Sequence, residues 1–193
     1  GLSGLAGPTV IAHLSHEEVP RHVPQDGAVV IVADAATAAE GARRTAERLG
    51  VAARVLDTAV TGEARRVGWR LAETAMGAGP GMSIFAGETT VAVTGGGSGG
   101  RNQELALAAA IALAGAPGAL VASVGTDGID GPTIAAGGVA DGETVSRGSA
   151  AGMDAAEALA ANDSGTYLDA VGGRLISGPT GTNVGDVMVA WGR

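Results

Sequence analysis

Residues 94–104 read Thr-Gly-Gly-Gly-Ser-Gly-Gly-Arg-Asn-Gln-Glu and lead straight into an alanine- and leucine-rich stretch with helical spacing. No other segment narrows the choice of fold as much. The five glycines around Ser98 permit positive φ and a close backbone approach that larger residues forbid. An alternating, strand-like pattern at 88–93 precedes them, so the segment predicts a strand–loop–helix unit. A helix start leaves N–H donors unpaired and carries positive partial charge, which favours an anion. Arg101 adds a forked, permanently charged donor suited to a carboxylate or a phosphate. A glycine-rich turn alone is commonly structural. One that ends in Arg-Asn-Gln-Glu reads as an anion-binding corner. Its expected donors are the backbone N–H groups of Gly96, Gly97, Ser98, Gly99 and Gly100 and the Asn102 side chain, and Glu104 is counted with them.

The rest of the chain alternates between strand and helix patterns. Apolar runs at 28–32, 51–56, 119–124 and 184–190 predict buried strands. Helices are expected at 35–49, 61–75 and 101–114, with one or two short ones in 143–161 and another capped by Asn162-Asp163-Ser164. Segments 83–86 and 89–94 look like paired extended strands, and 173–176 like a short strand. This order predicts an α/β fold with a layered, mixed, largely parallel sheet and helices on both faces. Hydrophobic residues make up 46% of the chain but aromatics only 2%, so small aliphatic side chains must pack the layers closely. Residues 1–27, with Pro8, Pro20 and Pro24, read as a linker from a preceding domain, and 28–193 as the α/β domain. His13, His16 and His22 are expected to be solvated linker residues rather than metal ligands.

A net charge of −8 over 193 residues argues against nucleic acid and against an anionic membrane surface. No apolar run approaches the roughly 20 residues that cross a bilayer. With no cysteine there is neither a disulfide framework nor thiolate chemistry. Cytoplasm is the default expectation, and a homo-oligomer stays open. All 12 basic side chains are arginine. Phosphoryl transfer often uses a lysine as a point charge on phosphate oxygens, so such chemistry would need that lysine from elsewhere. The chain opens at Gly1 and is expected to be a piece of a longer protein.

Two more loops invite a functional reading. Gly125-Thr126-Asp127-Gly128-Ile129-Asp130-Gly131-Pro132-Thr133 follows an apolar strand, and ligands in open α/β sheets gather beyond the carboxyl ends of strands. Asp127 could act as a general base or hold Mg²⁺, and Asp130 could be a metal ligand. Both could equally cap turns, as Asp-Gly often does. Thr133, and Thr182 and Asn183 in the loop at 177–183, could bind oxygens or merely close tight turns. The recurrence of Gly-Pro-Thr at 131–133 and 178–180 suggests that the two loops pack near one site.

Gly99-Gly100-Arg101-Asn102-Gln103-Glu104, Gly125-Thr126-Asp127-Gly128 through Gly131-Pro132-Thr133, and Thr180-Gly181-Thr182-Asn183-Val184 occur in that order. Together they resemble the C-terminal MOFRL domain of the glycerate 2-kinases, a group also named hydroxypyruvate reductases. Gly87-Glu88-Thr89 and Asn162-Asp163-Ser164 fit the same pattern, and the resemblance covers about residues 28–193. It implies transfer of a phosphoryl group from ATP, with Mg²⁺, to D-glycerate in a cleft shared with an N-terminal domain. It further implies that Arg101 binds glycerate or the transferring phosphoryl, and that Asp127 is a base or a magnesium contact. Ile134 stands where the pattern leads one to expect an aspartate. The isolated chain is expected to bind weakly and to turn over little. Two other readings remain. An NAD(P)H-dependent hydroxypyruvate reductase would need a dinucleotide fingerprint, which residues 95–100 match in letters only, without the ribose-binding acid. The other is a non-catalytic binding or assembly module.

Overall fold

The computed structural model describes residues 7–9, 12, 28 and 30–193. Two compact units divide between Ile31 and Val32, and the second carries every element named below. His13, His16 and His22 lie outside the described residues.

Six strands form one sheet in the order β1-β2-β6-β3-β4-β5. They are β1 (Ala53–Val60), β2 (Gly81–Gly87), β3 (Leu120–Gly125), β4 (Gly137–Asp141), β5 (Arg174–Leu175) and β6 (Asp186–Gly192). The helices are α1 (Ala35–Arg48), α2 (Ala64–Gly77), α3 (Arg101–Leu113), α4 (Thr144–Ala150), α5 (Ala155–Ala160) and α6 (Ser164–Ala170). The α/β class and the mixed sheet hold, but strand direction does not follow the expectation of a largely parallel sheet. Only β1 and β2 run parallel, and the other four pairings are antiparallel. The reason is β6. The last strand inserts between β2 and β3, antiparallel to both, an arrangement that local periodicity cannot reveal.

Two local expectations also fail. In the predicted first strand, Val30, Ile31 and Val32 are 74%, 76% and 90% exposed and belong to no strand. A short apolar run makes a strand only when a neighbour completes its ladder, and the described sheet begins with β1. Residues 89–94 do not pair with 83–86. β2 is occupied by β1 on one side and β6 on the other, and beyond it only Thr90 forms a bridge, to Glu63.

Helices cover both faces. Ala39 of α1 packs on Ile84 and Ala86 of β2, while α2 and α3 pack on Phe85, Val121, Met188 and Ala190 from the opposite face. Helix α3 is central. Ala106, Leu107 and Ala108 face Leu159 of α5 and Tyr167 and Leu168 of α6, while Leu105, Ala109 and Leu113 face α2 and the sheet. From Leu105 onward the helix is apolar on all sides because little of it meets solvent. The scarcity of aromatics has its counterpart at Gly68 of α2, where an added Cβ would collide with the Leu105 carbonyl oxygen of α3. The backbones meet there with no side chain between them.

Candidate functional site

Gly100 is the N-cap of α3 and has no side chain to satisfy the first-turn donors. Asp130 does it from a loop 27 to 30 residues away. Its Oδ1 accepts from the Asn102 N–H at 3.0 Å and its Oδ2 from the Gln103 N–H at 2.8 Å. The side chains of Asn102 and Gln103 donate to the same two oxygens at 3.2 and 3.0 Å. Asp130 is 1% exposed. The negative charge and the hydrogen bonds both suit a helix N-terminus. Gly100 must be glycine because a Cβ would fall on the Asp130 carboxylate. The metal role expected for Asp130 gives way to this capping role, since its lone pairs are already engaged. Thr133 is engaged as well. Its hydroxyl accepts from Gln103 Nε2 and the Ala135 N–H and donates to the Asp130 carbonyl.

Arg101 leaves the first turn of α3 and meets Asp186 at the start of β6. Its Nε donates to Asp186 Oδ2 at 2.6 Å and its NH2 to Oδ1 at 2.9 Å. Asp186 is fully buried and also accepts from Asn102 Nδ2 at 3.1 Å. The bidentate carboxylate pushes the Arg101 guanidinium above its usual range, although burial opposes the shift, so the group stays charged. Among the described residues the third nitrogen, NH1, has only a loose ion pair, with Glu88 at 3.5 Å. Asn102 was expected to bind a ligand. It is 1% exposed, and its side-chain oxygen accepts from the Ser123 hydroxyl, so it serves the protein interior.

The glycine loop is held from the side. Asn162 Oδ1 accepts from the N–H groups of Thr94 and Gly95, both at 2.8 Å, and its Nδ2 donates to Ala92 O and to Glu104 Oε2. Asn162 is the one non-glycine residue with positive φ among those described, at 54°, a conformation asparagine tolerates better than most. The Gly97 N–H goes to Ala161 O and the Ser98 N–H to Asp163 Oδ1. Part of the expected cradle is therefore committed to the fold. The N–H groups of Gly96, Gly99 and Gly100 have no acceptor among the described residues. Glu104 is 2% exposed; besides Asn162 it accepts two donors from Arg65, so its carboxylate is structural.

The second motif closes on the third. The Thr126 hydroxyl donates to Gly185 O and accepts from the Val184 N–H, and the Thr180 N–H donates to Asp127 O. Asp127 Oδ1 accepts from the Ile129 N–H at 3.1 Å, and its other oxygen takes no hydrogen bond from the described residues. A Cβ on Gly125 would lie 2.9 Å from Asp127 Oδ1 and 3.6 Å from Asp186 Oδ1, which places Asp127 beside the Arg101–Asp186 pair. Two cavities open here. One of about 530 Å³ is lined by Thr89, Val93, Gly99, Gly100, Arg101 and Pro132, among others. The other, of about 410 Å³, is lined by Thr61, Glu88 and Asn183 at the ends of β1 and β2. Thr182 is exposed and lines neither.

Among the described residues, no group of three or more histidines or carboxylates is placed to hold a metal. Asp127 could supply one oxygen to Mg²⁺ carried on nucleotide phosphates, since that ion commonly takes one or two protein carboxylates and completes its shell with phosphate and water. Sequence reasoning missed Asp186, the residue that orients Arg101. A lone acid at the head of an otherwise apolar strand was the available signal. It also read Asn162 as a helix cap, whereas the side chain pins the glycine loop.

The family model described as MOFRL matches residues 81–186, which include Arg101, Asp127, Asp130, Asn162 and Asp186 but not Arg65 or Thr61. The chain is 41% identical over 181 residues to the D-glycerate 2-kinase of Thermotoga maritima, covering 90% of this chain and 43% of that protein. It is 38% identical over 169 residues to the glycerate 2-kinase of Pyrococcus horikoshii, covering 83% and 38% respectively. The crystal structure of the Thermotoga maritima glycerate kinase superposes with a TM-score of 0.82 over 85% of this chain and 42% of that one. The chain thus spans about two fifths of the length of these relatives. Sequence and fold agree, and the chain belongs to the MOFRL family.

Proposed function

We propose that the chain is the C-terminal part of an ATP-dependent glycerate 2-kinase and supplies half of a phosphoryl-transfer site. The observation that carries this reading is Arg101, held by the buried Asp186 at the mouth of the glycine loop with NH1 turned outward. An arginine fixed before the ligand arrives loses little freedom on binding and can neutralise a carboxylate or a transferring phosphoryl. The free N–H groups of Gly96, Gly99 and Gly100 would add donors to the same oxygens. Asp127 is the carboxylate for acid–base work or for Mg²⁺, which would neutralise phosphate charge when bound. Asn183 and Thr182 are supporting contacts, while Asn102, Glu104, Asp130 and Thr133 hold the frame.

Charge supports the idea of a half-site. Glu88, Glu104, Asp127, Asp130 and Asp186 outnumber Arg65 and Arg101 around the loop. A phosphate or carboxylate binds firmly only if further positive charge comes with it, such as a metal ion or a lysine from an N-terminal domain joined through residues 1–27. Cytoplasm remains the proposed location, and no helix among the described residues is long and apolar enough to cross a membrane. The reductase reading is disfavoured by the α3 start. A dinucleotide pyrophosphate would need first-turn N–H groups that Asp130 already occupies.

The test follows amide resonances of the chain during titration with D-glycerate and with Mg·ATP. Shifts centred on Gly96, Gly99, Gly100 and Arg101 are expected. Shifts elsewhere only, or none with either ligand, would reject the reading. Phosphoryl transfer by this chain alone would reject the half-site part of it.

A further inference from the structure

We propose that Glu88 reads the hydroxyl of a 2-hydroxy acid whose carboxylate is bound by Arg101; the inference rests on the anion-binding role given to Arg101 above. The guanidinium has a fixed side and an open side. Nε and NH2 are bound to the buried Asp186, while NH1 lies 3.5 Å from Glu88 Oε1 and makes no hydrogen bond to it. The two side chains are 31% and 67% exposed, so a ligand can separate them at little cost.

Their position suits a ligand with two adjacent polar groups. Arg101 lines the cavity beside the glycine loop, and Glu88 lines the one that also contains Thr61 and Asn183. The pair stands where the two meet. A donor and an acceptor side by side complement a carboxylate and a hydroxyl on adjacent carbons. A carboxylate oxygen accepts from NH1, and the neighbouring O–H donates to Glu88 Oε1. Of the other acids here, Asp34, which lines the Glu88 cavity, is committed through Oδ1 to capping α1. The oxygens of Asp130, Asp186 and Glu104 are buried and engaged, and Asp127 forms no ion pair with the guanidinium.

Glu88 also rejects. A carboxylic acid without the adjacent hydroxyl meets the Glu88 charge with no hydrogen bond to offset it. Sites that hydrogen-bond a substrate hydroxyl discriminate strongly against analogues lacking it, and repulsion sharpens the choice.

The test compares D-glycerate with 3-hydroxypropionate, which lacks the 2-hydroxyl, by amide chemical-shift titration of the chain. The unaltered chain should prefer D-glycerate by about tenfold, the worth of one charge-assisted hydrogen bond. Glu88→Ala should bring the ratio close to one, mainly by tightening 3-hydroxypropionate, and Glu88→Gln should fall between. An unchanged ratio in Glu88→Ala overturns the inference and leaves the reading of Arg101 standing. The double variant Arg101→Gln/Asp186→Asn, which removes the buried charges together, should lose both ligands. If it binds as the unaltered chain does, or if that chain shows no shift at Gly99, Gly100 or Arg101 with either acid, the reading of Arg101 falls and the inference with it.

Discussion

The body of α3 and its first turn are both buried, but they are built in opposite ways. From Leu105 to Leu113 the helix offers small aliphatic side chains to α2, the sheet, α5 and α6, and its tightest contact is Gly68 against a backbone oxygen. In the first turn, Asn102, Gln103 and Glu104 are as deeply buried, yet each is tied to Asp130, Asp186, Arg65 or Asn162. The body needs only volume and close approach. The first turn needs every partner, because a buried donor or acceptor left unpaired costs more than a typical hydrogen bond contributes. Among the described residues this network leaves Gln103 Oε1 without a partner and Arg101 NH1 only loosely paired.

The contrast can be broken by substitution, and the largest effect belongs at the polar end. Asp130→Ala leaves the Asn102 and Gln103 backbone donors without acceptors and removes one acceptor from each of their side-chain amides, and should cost about 4 kcal/mol in urea unfolding. A loss below that of a simple surface change would mean the network is not what holds the turn. Gly68→Ala tests the body. Alanine would ordinarily gain about 1 kcal/mol in a helix, but here overpacking should reverse the sign and leave a net loss of about 2 kcal/mol.

A cycle on Arg101 and Asp186 is more discriminating. Arg101→Met strands a buried carboxylate and should cost about 3 kcal/mol, much of it restored when Asp186→Asn is added. Simple additivity of the two losses would show that they do not act as a pair. Asn162→Gly keeps the positive φ and deletes the side chain. It should cost about 2 kcal/mol and speed amide exchange at Thr94 and Gly95 more than in α3. Glu88→Ala comes last, with a stability change within about 0.5 kcal/mol, because its ion pair is long and exposed. A large loss there would place Glu88 in the frame rather than at the mouth.

Local pattern was enough to find α1, α2, α3, β3 and β6 to within a few residues. Each has a period or an apolar run bounded by glycine or proline. The same reasoning made a strand of 28–32 and paired 83–86 with 89–94, because an apolar run does not name its neighbour. At the site, Arg101 and Asp127 were legible as charged groups in glycine-rich loops. The capping of α3 by Asp130 was not, since a long-range cap leaves no mark at the helix start beyond a missing N-cap side chain. Asp186 and Asn162 were missed as site residues for a similar cause. Each acts on a residue between 67 and 85 positions away.

By itself the sequence determined the inventory. It set a glycine loop ahead of a helix with a polar first turn and an apolar body, charged groups placed at loop ends, and cores made of alanine, valine and leucine in place of aromatics. Those follow from rules that act over a few residues, such as φ preference, side-chain volume and hydrophobic period. Only the tertiary structure decided that β6 enters the middle of the sheet and brings Asp186 under Arg101. It also decided which loop N–H groups are used and which remain open. These outcomes depend on pairing and burial between distant segments, where the cost of leaving a polar group unpartnered selects one arrangement and local pattern has no say.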